Sequence, residues 1–211
     1  MAQFTLVWIA DQLITNVNAI GQTVSYRQKS VGGSWLTAGF APANPLSNVV
    51  ETVESPVLTD NIVYEFKVEC NCTENGPTPN DNGIQEGINF ACIAPTFELF
   101  PTQINVIVDV TGTDITKARF VMRRADNNNI VHGPNTVNRI GDTVELLHTV
   151  LTPATNYYVQ IDLLATINTI EVISNASNQL GTACSPYPVA TEAAPVCDPI
   201  TALTVSSIEV L

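Results

Sequence analysis

The chain predicts an all-β protein: two tandem antiparallel β-sandwiches followed by a C-terminal strand. Three observations carry this. First, LTDNIVYEFKVEC (Leu58 to Cys70) and LTPATNYYVQIDL (Leu151 to Leu163) share a Leu-Thr opening, a Tyr six residues after the Leu, and strict apolar/polar alternation. Second, alternation of period two with one apolar face describes half-buried strands, and no window keeps a 3.6-residue period with caps. Third, turn residues punctuate these runs at short intervals, as in sandwiches. A length of 211 residues suits two domains of roughly 100 residues each.

In the first copy, Tyr64, Phe66, Val68, Cys70 and Cys72 share one face, against Glu65, Lys67 and Glu69 on the other. In the second, Tyr157, Val159, Ile161 and Leu163 oppose Tyr158, Gln160 and Asp162. Upstream, VVETVESPVL (Val49 to Leu58) stands opposite DTVELLHTVL (Asp142 to Leu151), and TVSYRQK (Thr23 to Lys29) opposite KARFVMRR (Lys117 to Arg124). Tyr26 and Phe120 are then inward aromatics. Gly21, Gly32-Gly33, the Pro42 to Pro45 region, Gly76 to Gly83, Asp126 to Asn129 and Gly133-Pro134 separate the strands.

The Leu, short turn, Tyr and alternating Phe-x-Val resemble the E-to-F corner and strand F of a fibronectin type III domain, and TVSYRQKSVGGSW resembles that family's strand C and its turn into C′. The resemblance extends to about residue 185. It implies two Ig-like, fibronectin type III-like sandwiches over 1–94 and 95–187, with an extension over 188–211. INVIVDV (Ile104 to Val110) lacks the family's buried strand-B Trp.

The ends of the chain are less regular. Phe4 to Trp8 reads either as strand A, with Leu13 to Ala19 as strand B, or as strand B with Trp8 as the buried Trp and strand A missing; spacing to Tyr26 favours the first. Cys92-Ile-Ala-Pro95-Thr-Phe-Glu-Leu99 leads into the second domain, and Cys197-Asp-Pro199-Ile-Thr-Ala-Leu203-Thr-Val205 looks like the opening of a third. Ile200 to Leu211 is rich in β-branched residues and carries one charged side chain, Glu209. Such a strand is sticky when unpaired, so a partner is expected on Ile200, Leu203, Val205, Ile208 and Val210. If strand A is missing, the C-terminal strand of a neighbouring copy could complete the first domain; a tail that packs on its own domain or on another protein, or frays, is the favoured expectation.

Charge narrows the partners. Lys and Arg number 8 against 20 Asp and Glu, a net charge of −12, which argues against nucleic acid and anionic membranes as partners. The charged share, 13%, is low for a globular chain, and Asn and Thr stand in for the usual Lys and Glu. No Sec-type leader and no apolar run of membrane-spanning length is visible. Half of all basic residues, Lys117, Arg119, Arg123 and Arg124, sit on one expected strand. Lys117, Arg119 and Arg123 share a face, a candidate contact for an acidic partner.

Other candidate chemistry has ordinary explanations. His132 and His148 are the only histidines and lack a nucleophile and an orienting acid nearby. Cys70-Asn71-Cys72 has the wrong spacing for a zinc knuckle. Asn80 to Gly83 and Asp126 to Asn129 lack the carboxylate spacing of a calcium loop and read as Asx turns. Five cysteines without an export signal suggest free thiols, although Cys70 and Cys92, on expected neighbouring strands, could pair in an oxidising place. No catalytic residues, cofactor, metal or small-molecule substrate are expected. A leaderless, acidic, Asn/Thr-rich tandem sandwich with a dangling strand resembles accessory proteins of tailed bacteriophages. That implies a structural role in a virion assembled in the host cytoplasm, with virion proteins or copies of itself as partners. A second expectation is adhesion, in which loops at one end of a sandwich bind a glycan or a host surface protein, with Trp35 and Tyr187 as aromatics for stacking on a sugar.

Overall fold

The computed structural model describes residues 4–10, 19–42, 49–72, 76–79, 84–174, 179–180 and 186–195. The architecture is all-β: two tandem Ig-like, fibronectin type III-like sandwiches. The second is the more complete. One of its sheets has the order β13 (Thr143–His148), β10 (Ile104–Asp109), β9 (Thr96–Leu99). The facing sheet runs β12 (Ile130–Asn138), β11 (Lys117–Arg124), β14 (Asn156–Ile167), and both β15 (Ile170–Ile173) and β17 (Tyr187–Ala190) pair with the far edge of β14. The last strand of this sheet is therefore split, leaving β14 at Ile173 and returning at Tyr187.

Alternation decides which side chains meet between the sheets. Ile104, Val106 and Val108 point inward from β10, and Tyr157, Val159, Ile161 and Leu163 from β14, with Phe120, Met122 and Val144 between them. Each fully buried aliphatic or aromatic side chain of this kind stabilises the fold by roughly 1.5–3 kcal/mol.

The first sandwich repeats the plan. β2 (Ala19–Gln28) lies between β3 (Leu36–Pro42) and β5 (Val63–Cys72), and β5 carries a split last strand, β6 (Gly76–Pro79) and β7 (Gln85–Ile88). Facing them, β1 (Thr5–Ala10) pairs with β4 (Val49–Glu54). The Leu58, Ile62, Tyr64 and Phe66 cluster packs against Phe4, Leu6 and Tyr26. A short parallel pair, β8 (Phe90–Ala91) with β16 (Gln179–Leu180), joins the two halves of the chain.

The shared Leu-Thr…Tyr pattern has a direct cause. The Tyr64 hydroxyl accepts from the Thr59 N–H at 3.2 Å, and the Tyr157 hydroxyl accepts from the Thr152 N–H at 2.9 Å. Each Tyr folds back over its own turn, the corner that this class of sandwich uses at the start of strand F.

Pairing corrects the favoured reading of the N-terminus. β1 stands against β4 as β10 stands against β13: the Ser55 N–H donates to the Phe4 carbonyl at 2.9 Å, and the Phe4 N–H to Ser55 Oγ at 2.8 Å, at the place where Ile104 faces His148. Phe4 packs on Phe66, ring centroids 5.1 Å apart, and a Cβ on Gly87 of β7 would strike its ring. FTLVW is thus strand B, the alternative reading. The expected strand B, Leu13 to Ala19, falls outside the described residues except for Ala19, which opens β2. Spacing along the chain carries no information about pairing, and it is the partner strand, β4, that assigns β1.

Candidate interaction surfaces

On the outer face of β11, the expected basic stripe is largely neutralised from within. Lys117 pairs with Glu171 of β15. Arg119 donates from Nε and Nη2 to Asp162 Oδ2 at 3.0 and 2.7 Å, across the strand pair that sets these residues opposite each other. Arg123 Nη1 donates to the Asn128 carbonyl at 3.1 Å, and Arg124 pairs with Asp126. The stripe exists, but Lys117 and Arg119 already hold acidic partners. Asp126 to Asn129 forms a hairpin turn in which the Asn129 N–H donates to Asn127 Oδ1, an Asx turn as expected.

The first sandwich carries a matching row. Arg27 pairs with Glu65 at 2.6 Å and Lys67 with Glu69 at 2.7 Å, while the Arg27 guanidinium and the Lys67 ammonium lie 4.5 and 4.7 Å from the Trp35 ring centroid. Trp35 thus rests on a cationic ledge. Tyr187, the other aromatic considered for stacking, packs against the second core and donates to the Ile93 carbonyl at 3.3 Å.

The histidines meet across the edge of the second sandwich. Their ring centroids lie 5.3 Å apart, and His132 Nε2 is 2.7 Å from the Thr149 carbonyl. His148 is buried, and its Nε2 has no hydrogen-bond partner. Burial first, and the facing His132 second, push its pKa down from 6.5 to about 4. It is a neutral core histidine.

Cys92 contradicts the expectation of free thiols: it is exposed and disulfide-bonded. Its partner is neither Cys70 nor Cys72. β7 pairs Ile88 with Val63 at the start of β5, so Cys92 runs off that end, while Cys70 and Cys72 lie toward the far end of β5. At about 3.3 Å per residue the gap is over 20 Å, against a Cα separation below about 7 Å in a disulfide. Cys184 and Cys197 lie outside the described residues.

Where the two sandwiches meet, residues that no motif marked do most of the joining. Asn61, buried and at φ 60°, donates its N–H to the Asn89 carbonyl and accepts the Ala91 N–H on Oδ1 at 2.9 Å. Its carbonyl accepts the Asp114 N–H, and Asp114 Oδ2 accepts the Val63 N–H at 2.7 Å. Glu86 accepts from Lys29 Nζ at 2.7 Å and from the Asn168 N–H at 2.8 Å. Burial raises the Glu86 pKa, but the Lys29 ammonium and the Asn168 N–H outweigh it and hold the carboxyl below its ordinary range. Phe90 is buried in the second core, with Ile88 and Ile93 packed on the same cluster. Asn61 carried one sequence signal, its place in the turn before the shared Tyr; Asp114 and Glu86 carried none.

A last surface is an edge. β10 is flanked on both sides, by β13 and β9, whereas among the described residues β1 pairs with β4 alone. The residues expected to bind a partner strand, Ile200, Leu203, Val205, Ile208 and Val210, lie outside the described residues.

Among the described residues no cluster of three His, Cys, Asp or Glu side chains could hold a metal, and no helix is long and apolar enough to cross a membrane. No protein-family model matches the chain, and no curated protein matches it. Solved structures of similar course include a two fibronectin type-III domain segment from chicken tenascin: 14% identical, 82% of this chain and 93% of that chain covered, TM-score 0.43. Another is the chicken interferon gamma receptor alpha chain, 10% identical, 81% and 84% covered, TM-score 0.39.

Proposed function

We propose that the chain is a non-enzymatic structural module that spaces and docks components of a larger assembly through protein-protein contacts. The supporting observation is the junction, where Asn61, Asp114, Glu86 and Phe90 tie one sandwich to the next by backbone, carboxylate and core contacts. A spacer needs this property, because a floppy linker would spread its ends over many orientations and raise the entropic cost of docking. The specific assembly we propose is the virion of a tailed bacteriophage, a reading supported by the acidic, Asn/Thr-rich composition. Contacts would fall on Ile200, Leu203, Val205, Ile208 and Val210. Lys117, Arg119 and Arg123 form a secondary face, since two of the three already hold acidic partners.

Peptide mass spectrometry of gradient-purified virions from a host carrying this gene tests the reading. Stoichiometric recovery with capsid and tail proteins is expected; recovery only in the unassembled fraction counts against it. Charge reversal of Arg119 and Arg123 to Glu tests the secondary face, and incorporation at the wild-type level removes it.

A further inference from the structure

We propose that the outer face of the β9–β10–β13 sheet docks a basic, extended segment of another protein, with Glu98 and Glu145 taking its Arg or Lys side chains and Phe100 and Leu147 supporting them. The surface stands apart from those assigned above, so binding here neither requires virion incorporation nor tests it.

Register builds the site. Phe97, Val106 and Val144 face the core, so their neighbours Glu98, Asn105 and Glu145 stand on the opposite side of the sheet. Glu98 lies opposite Asn105 and Asn105 opposite Leu147, one row across three strands, with Glu145 two residues back along β13. Together with Phe100 and Gln103, from the turn between β9 and β10, they line a cleft of about 470 Å³. Its polar groups are oriented yet not used up. Asn105 Nδ2 donates to Glu98 Oε2 at 3.0 Å and the Thr143 hydroxyl to Glu145 Oε1 at 2.9 Å, so each carboxylate keeps its other oxygen for a ligand. The Phe100 backbone is held on both sides, its N–H donating to the Gln103 carbonyl and its carbonyl accepting the Glu192 N–H, while its ring stays 44% exposed. Leu147 is 48% exposed.

Charge identifies the occupant. All eight Lys and Arg of the chain lie within the described residues; seven hold a carboxylate in an ion pair, and Arg123 is held by the Asn128 carbonyl. None of these pairs involves Glu98 or Glu145. Their counter-charges must therefore come from outside, and a second copy would have to break an existing ion pair to supply one. Arg and Lys fit such a cleft, because their aliphatic stems cover apolar surface such as Leu147 and a cation is drawn to an aromatic face such as that of Phe100. Two strand spacings and one two-residue step put Glu98 and Glu145 about 12 Å apart along the sheet, so each addresses its own cation. On an extended segment, residues i and i+4 share a face and lie about 13 Å apart, which matches this spacing. Complementary charge of this kind sets register and partner choice.

The probe is a fluorescent, end-capped peptide, Gly-Arg-Gly-Leu-Gly-Arg-Gly, with a counterpart carrying Glu in place of both Arg. Anisotropy against the full chain, taken to millimolar protein, should show binding of the Arg peptide at low salt, weakening as salt rises, and none of the Glu peptide. Glu98→Gln with Glu145→Gln should weaken binding about tenfold. Asp126→Asn with Glu171→Gln removes the same charge on the facing sheet and should leave affinity nearly unchanged. All four positions are exposed, so the substitutions spare the core. Equal weakening by the two double variants overturns the proposal, because the peptide then reads net charge alone. So does a wild-type chain that fails to bind the Arg peptide, or one that binds the Glu peptide as well. Light scattering supplies a further arm: self-association of wild type that Phe100→Ser with Leu147→Ser abolishes would make the occupant a second copy and overturn the assignment to a basic partner.

Discussion

The Val63 N–H donates to the carboxylate of Asp114 at 2.7 Å, from the first residue of strand F in one sandwich to the loop between β10 and β11 in the next. A hydrogen bond to a charged acceptor contributes about 1.5–3 kcal/mol, and losing it leaves the Val63 N–H unpaired. Asp114→Ala should therefore loosen the junction without unfolding either sandwich. Small-angle scattering should show a broader spread of maximum dimensions, and thermal melting should separate into two transitions. A scattering profile identical to wild type would refute the role of this contact in holding the junction.

Tyr64→Phe and Tyr157→Phe should each cost about 1 kcal/mol, because each removes the acceptor of one turn N–H while keeping the ring in the core. The sites are far apart, so the double variant should show the sum. Urea denaturation of the three variants measures this.

His148 makes stability depend on pH. In the unfolded chain it titrates near 6.5, in the fold near 4, so the native state resists a proton that the unfolded state accepts. Its contribution is complete above pH 6.5 and falls away as the pH drops from there toward 4, about 3 kcal/mol in all. His148→Leu should flatten this acid limb, and because Nε2 has no partner the substitution leaves no hydrogen bond broken at that atom. Denaturation midpoints at pH 7.5 and 4.5 should differ strongly in wild type and less in the variant.

Non-reduced peptide mapping should find Cys92 linked to a peptide containing Cys184 or Cys197. The register of β5 with β6 and β7 excludes Cys70 and Cys72, and a Cys70–Cys92 peptide in native protein would contradict that register.

Much of the fold was legible because its signals are local. The Tyr corner closes over five residues, and alternation along β5 and β14 shows in any short window. The identity of β1 was not legible. Its assignment depends on Ser55, some fifty residues away, and a spacing argument cannot distinguish two neighbouring strands of the same sheet. Likewise Asp114 and Glu86 are ordinary acidic residues until the fold brings Val63 and Asn168 to them. The basic residues of β11 stand out in the sequence, whereas the acids that hold Lys117 and Arg119 come from β15 and β14 and are visible only in the register.

Phe90 lies before the second repeat begins, yet it is buried in that repeat's core, and β8 pairs in parallel with β16 from the far side. The unit that repeats in sequence and the unit that excludes water are therefore offset. A gene fragment encoding residues 95–187 alone would carry a hole where the Phe90 ring sits, and would lack the strand that receives β16. Duplication or shuffling of this module would succeed only with the connector copied along with the repeat, so the connector is part of what recombination must keep intact.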